Sequence, residues 1–235
     1  LMHQYGANVV RLSMYVNESN SYLSNPDSWK ERIKNYIDEL AAEGMYCIVD
    51  WHLLPNGGNS ADPNKYTEEA KDFFGEISEY CADNGYKHVL YEICNEPDCE
   101  WDNVKIYAGK VIPVILKNQP NAMVIVDTDN WSQNIMNPVT DPLNEYKNNV
   151  LYSFHYYAGT DFHKLGEFRN AQKFIPVIAS DWSTVKFDGN GPNNFANGDA
   201  FLEECTNYNG APQLVSWCFW SWGSKNEPSS AFTYE

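Results

Sequence analysis

The sequence predicts an α/β fold of the (β/α)8 TIM barrel class, and three observations predict it. Seven short runs rich in β-branched and aromatic residues recur with amphipathic helical stretches between them. The runs are nearly continuously apolar, as strands of a parallel sheet buried on both faces are. They begin at residues 8, 46, 88, 123, 149, 176 and 214, a spacing of about 34 residues that suits repeated βα units. Neither a GxGxxG pattern nor a P-loop follows the first run, where an open doubly wound sheet more often places a phosphate-binding turn.

In order, the strand runs are Asn8–Tyr15 (NVVRLSMY), Tyr46–His52 (YCIVDWH), His88–Glu96 (HVLYEICNE), Met123–Trp131 (MVIVDTDNW), Asn149–Tyr157 (NVLYSFHYY), Pro176–Trp182 (PVIASDW) and Leu214–Trp222 (LVSWCFWSW). The long helices fall at Ser28–Glu43, after a cap at Pro26-Asp27 and before Gly44; at Lys65–Asp83, before Asn84-Gly85; and at Asp102–Lys117, before Pro120. No linker or low-complexity stretch interrupts them, so residues 1–235 read as one barrel domain. Eight units at this spacing need about 275 residues, so the expectation is a barrel truncated in this chain, with the first strand and helix and the last helix outside it.

Composition bounds the partners. The chain has 235 residues, 43% of them hydrophobic, and reads as folded and soluble, with no apolar run near the roughly 20 residues of a membrane span. Sixteen Lys and Arg against 32 Asp and Glu give a net charge of −16, which argues against nucleic acid or anionic lipid as a partner and favours a neutral or cationic ligand. Six cysteines are too sparse for a disulfide scaffold, show no CxxC pair for zinc, and read as buried free thiols. The 8 Trp, 16 Tyr and 11 Phe exceed what a core of this size needs, leaving rings to stack on flat ligand faces.

In barrels of this class the active face forms at the carboxyl ends of the strands. Those ends hold Arg11, Asp50-Trp51-His52, Asn95-Glu96, Asp127, Asp129, Trp131, His155, Tyr157, Asp181-Trp182, and then Trp217, Trp220 and Trp222. Glu96 and Asp181 occupy corresponding places on strands three apart. Two carboxylates flanked by aromatics are the apparatus of glycoside hydrolysis, where one acid protonates the leaving oxygen and the other attacks or activates water. Other barrel hydrolases and lyases, and a non-catalytic protein, stay open on residues alone. Paired-acid proteases use β-rich folds, and metal sites usually gather more ligands, so neither a metal nor another cofactor is called for.

The motif YEICNEP, Tyr91 to Pro97, resembles the strand-four signature of clan A glycoside hydrolases. Around it, GANVVRLSMY (6 to 15), IVDWHLL (48 to 54), WDNVKIYAGKVIPVI (101 to 115), NWSQNI (130 to 135), LYSFHYYAGT (151 to 160), ASDWST (179 to 184) and SWCFWSWGSKNEPSSAF (216 to 232) resemble glycoside hydrolase family 5, close to its bacterial endo-β-1,4-glucanases. The resemblance implies Glu96 as general acid/base and Asn95 as a contact to the sugar 2-hydroxyl. It implies that Arg11 bonds to the nucleophile carboxylate, that Tyr157 donates a hydrogen bond to it, and that His155 lies near the acid/base. His52 would bind sugar hydroxyls, and Trp131 and Trp220 would be stacking platforms, the Trp220–Ser221 peptide being cis. Lys225 and Glu227 would hold the sugar two places from the cleaved bond on the non-reducing side. The partner implied is a β-glucan polysaccharide, handled by a secreted enzyme that is monomeric if its barrel is complete.

One position departs from the family. Its nucleophile is a glutamate in a segment like VTEWG, and here Ala179-Ser180-Asp181-Trp182-Ser183 puts Asp at that place. The side chain is shorter by about 1.5 Å, one C–C bond. Retaining enzymes hold their carboxyls about 5–5.5 Å apart and inverting ones about 6.5–9.5 Å. A slow retaining enzyme, an inverting one, and a degenerate barrel that binds β-glucan with weak or no cleavage are the outcomes the sequence allows.

Overall fold

The computed structural model describes residues 2–55, 61–206 and 214–232. They pack as two compact units: Leu1–Ser132 with Pro142–Leu151, and Gln133–Asp141 with Tyr152–Glu235.

In the first unit, β1 (Val9–Tyr15), α1 (Pro26–Ala42), β2 (Tyr46–His52), α2 (Thr67–Asp83), β3 (Val89–Glu92), α3 (Trp101–Asn118) and β4 (Met123–Asp127) alternate, and a short turn α4 (Asp129–Ser132) follows. The strands pair parallel in chain order, with Arg11 opposite Ile48, Asp50 opposite Glu92 and Glu92 opposite Ile125. Partners in parallel register face the same side, so Arg11, Asp50 and Glu92 share one face. Helix α1 starts two residues before the predicted Ser28, because the side chain of Asn25 accepts the Ser28 N–H at 3.3 Å and Pro26 supplies the first turn. It ends as the sequence predicts, at Gly44 with φ +68°, a left-handed conformation that favours glycine. At Gly75 of α2 a Cβ would meet Val114 of α3 at 3.2 Å, so the missing side chain is what lets these helices approach. Between α2 and the sheet, Tyr22, Trp51, Phe73, Phe74 and Tyr91 are fully buried, with ring centroids 4.9–6.2 Å apart.

The second unit holds α5 (Asn137–Thr140), most of β5 (Val150–Tyr157), α6 (Leu165–Ala171), β6 (Val177–Ser183), α7 (Phe195–Thr206) and β7 (Trp217–Phe219). Strands β5, β6 and β7 are again parallel. Its core is aromatic: Tyr156 stacks on Phe201 at 4.5 Å and 9°, and Phe154 on Phe168 at 5.1 Å.

Three predicted strands run past their observed ends. The structure stops β3 at Glu92 rather than residue 96, stops β4 at Asp127 rather than 131, and confines β7 to residues 217–219. Composition does not mark these ends, because Ile93-Cys94 after β3, Trp131 after β4 and Trp220 and Trp222 after β7 keep an apolar or aromatic character although the strand has ended. Glu96 has φ +43°, and Asn130, Trp131 and Ser132 have φ of 53°, 55° and 59°.

Candidate active site

The first unit carries Glu96 on the turn leaving β3. Its left-handed backbone costs a non-glycine residue on the order of 1–3 kcal/mol, and such strain persists only where neighbours hold it. They do so on both sides. The Asn95 N–H donates to Trp51 O at 3.0 Å, the Tyr107 hydroxyl donates to Ile93 O at 2.6 Å, and the Glu96 N–H faces Asp127 Oδ1 at 3.5 Å. Asp127 Oδ1 also accepts from the Ser132 hydroxyl at 2.7 Å. The Trp131 N–H donates to Pro97 O at 3.2 Å, which ties the left-handed turn after β4 to the loop of Glu96. Trp131 is 44% exposed, an indole presented rather than packed.

Next to Asn95 is a buried charge cluster. Arg11 donates through Nε and Nη2 to the two oxygens of Glu92, at 2.6 and 3.0 Å, and through Nη2 to Asn95 Oδ1 at 2.8 Å. Asp50 Oδ2 lies 3.0 Å from the same nitrogen and 2.7 Å from His52 Nδ1. The side chains of Arg11, Asp50, His52 and Glu92 are buried, so the desolvation of these charges is offset only because each faces an opposite charge or a donor. Sequence reading named Arg11, Asn95 and His52 but missed Glu92, whose signal was a charge standing inside an apolar strand.

In the second unit the Tyr157 hydroxyl donates to Asp181 Oδ1 at 2.8 Å, and the Tyr157 N–H donates to Asp161 Oδ2 at 2.9 Å. His155 Nε2 is 3.0 Å from Ser180 Oγ, which is 2.6 Å from Ser153 Oγ. Residues 153, 155 and 157 alternate on one face of β5, yet they meet both Ser180 and Asp181, which are consecutive. A bulge makes this possible: Ser153 pairs with Ile178 but His155 pairs with Asp181, so β6 holds one extra residue there. Without it Asp181 would point to the opposite face. Ser153 and Ser180 were also missed, since a bulge leaves no mark in composition.

The peptide bond Trp220–Ser221 is cis. Lys225 Nζ lies 5.5 Å from the centre of the Trp220 ring and 3.9 Å from Glu227 Oε1, and the Ser229 hydroxyl donates to Glu227 Oε1 at 2.9 Å. Gly189, with φ +77°, lets the loop after β6 come against this group, where a Cβ would meet Ser229 Oγ at 3.1 Å.

All six cysteines are free, and four are buried. Cys99, three residues after Glu96, has its thiol pushed up to about 12 by burial and by the carboxylates of Asp62, Asp129, Asp98 and Glu100. Little thiolate exists at pH 8, and the higher basicity of that thiolate only partly compensates. Iodoacetamide is therefore expected to label Cys99 about a hundredfold more slowly than free cysteine, read by mass spectrometry of the digested peptide. Labelling at the free-cysteine rate would contradict this environment.

The family model "Cellulase (glycosyl hydrolase family 5)" matches residues 1–226. The chain belongs to glycosyl hydrolase family 5. Among curated family members it is 37% identical over 238 residues to an endoglucanase of Clostridium saccharobutylicum, covering 98% of this chain and 50% of that protein. It is 33% identical over 239 residues to endoglucanase E-5 of Thermobifida fusca, covering 99% and 49%. The chain thus spans about half the length of these relatives. Among solved structures, the catalytic domain of Thermobifida fusca endoglucanase Cel5A matches with a TM-score of 0.88 at 32% identity, over 98% of this chain and 74% of that one. A variant of that domain in complex with cellotetraose matches with a TM-score of 0.89 at 32% identity, over 99% and 74%. The fold class of this family 5 chain is accordingly the (β/α)8 barrel, as its sequence predicts. Among the described residues no helix is long and apolar enough to cross a membrane.

Proposed function

We propose that this family 5 chain is the core of an endo-acting glycosidase that cleaves β-1,4-glucan by double displacement. Glu96 is its general acid/base and Asp181 its nucleophile. The observation that carries the reading is the 2.8 Å hydrogen bond from the Tyr157 hydroxyl to Asp181, on a strand whose bulge turns this carboxylate to the side of Tyr157 and His155. A merely structural acid needs neither. Arg11 adds a fixed cation for the same carboxylate, His155 neighbours the acid/base, and Asn95 and His52 take sugar hydroxyls. Trp131 and Trp220 stack on the rings, with Lys225 and Glu227 at the sugar two places from the cleaved bond.

In the first step Glu96 protonates the glycosidic oxygen as Asp181 attacks the anomeric carbon. In the second, Glu96 takes a proton from water as the glycosyl ester is hydrolysed. The endoglucanase names of its relatives, and cellotetraose bound to one of them, support glucan as substrate. A polymer that cannot enter a cell implies secretion, and a net charge of −16 suits a neutral polysaccharide. The second reading, a β-glucan-binding protein with weak or no cleavage, is favoured by one observation, Asp181 itself.

The test is release of reducing ends from carboxymethyl cellulose and mixed-linkage glucan. Wild type is expected to release them, and Tyr157→Phe is expected to lose about 10- to 100-fold, as for a hydrogen bond to a charged group worth about 1.5–3 kcal/mol. Binding of cello-oligosaccharides with no release by wild type would establish the second reading instead.

A further inference from the structure

We infer that Asp50 is a positioning residue that fixes which nitrogen of His52 meets the substrate; the substrate's identity rests on the glucanase reading. One oxygen, Asp50 Oδ2, lies 3.0 Å from Arg11 Nη2 and 2.7 Å from His52 Nδ1. A carboxylate paired with a guanidinium has no proton to give, so the proton in the 2.7 Å contact sits on Nδ1. In its neutral form the ring then carries its lone pair on Nε2, the reverse of the tautomer that free imidazole side chains favour in water. Three further features hold this arrangement. Arg11 is anchored by both oxygens of Glu92 and by Asn95. Asp50 and His52 are 0% and 4% exposed, which removes competing water. The Tyr15 ring packs at 4.6 Å and 59° against the imidazole and limits its swing.

The consequence is chemical. His52 presents an acceptor, which suits the hydroxyl of a neutral sugar and repels a carboxylate or phosphate. Arg11, Asp50 and His52 thereby form one relay, in which the cation that pairs with Glu92 and Asn95 also sets the polarity of the histidine at the end of β2.

The experiment uses the full chain with 15N-labelled histidine, the His52 signals being assigned among the five histidines by their loss in His52→Gln. Wild type near neutral pH is expected to show the proton on Nδ1 and none on Nε2. In Asp50→Asn and Asp50→Ala the population shifts toward Nε2–H, and KM for cellotetraose rises about tenfold, the size of one lost hydrogen bond to a charged group. Because Asp50 sets KM through His52, KM for Asp50→Asn combined with His52→Gln is no higher than for His52→Gln alone, while any loss passed through Arg11, the other partner of Asp50 Oδ2, falls on kcat. A wild-type ring protonated on Nε2, a tautomer unmoved in the Asp50 variants, or additive rises in KM in the double variant would each overturn the inference. Should Asp50→Ala fail to fold, the wild-type spectrum and Asp50→Asn decide it. Failure of wild type to bind or cleave cellotetraose overturns the glucanase reading, while the spectra still decide the tautomer.

Discussion

Glu96→Gln is expected to lower hydrolysis of carboxymethyl cellulose by about 10³-fold, within the range that general acid–base catalysis contributes. The amide keeps the size of the side chain, so the turn at φ +43° and its bonds from Asn95 and Trp131 are preserved and only the transferable proton is lost. The loss should depend on the leaving group. An aryl cellobioside whose phenolate departs without protonation still reacts with Asp181 in the first step and then stalls, since no base activates water. Added azide, which needs no base, restores turnover and gives a glycosyl azide. The variant should bind cello-oligosaccharides as wild type does. Activity within tenfold of wild type, or no rescue by azide, would remove Glu96 from the acid/base role.

The second large effect lies at position 181. Asp181→Asn is expected to abolish turnover, and Asp181→Glu to raise it by about 10²-fold, the rate at stake when a reacting group is misplaced by roughly 1 Å. The longer side chain recovers the C–C bond that separates this chain from its family pattern. The anomer formed first, followed by NMR during hydrolysis of cellotetraose, is expected to be the retained one for wild type and for Asp181→Glu. An inverted product from wild type would mean that Asp181 activates water instead of attacking. No gain from glutamate would mean that the β6 bulge and the 2.8 Å reach of Tyr157 have rebuilt the site around the shorter acid.

Much of this was legible in the sequence, and for a definite reason. Buried parallel strands must be apolar on both faces, so β2 and β6 stand out as runs, while Gly44 and Gly85 stop α1 and α2 where a left-handed residue is needed. The strand-end positions then offered Arg11, Asn95, Glu96, His155, Tyr157 and Asp181 among other polar residues, and the resemblance to the family singled them out as candidates. Legibility failed where local composition does not vary. Past Glu92 and Asp127, Ile93-Cys94 and Trp131 keep an apolar or aromatic character although the strand has ended, so turns that aim Glu96 and Trp131 read as more strand.

The sequence by itself determined the fold class and, through its motifs, the family, and it named the candidate site residues, because periodicity, spacing and residue type are all local properties of the chain. Only the tertiary structure decided how those side chains are held. That Glu92 and Asp50 share Arg11, that one oxygen of Asp50 reaches His52, and that Ser180 and Asp181 face the same side of β6 are consequences of register. Register is set by the packing of whole strands, and one inserted residue in a strand turns a side chain to the other face without changing any residue type.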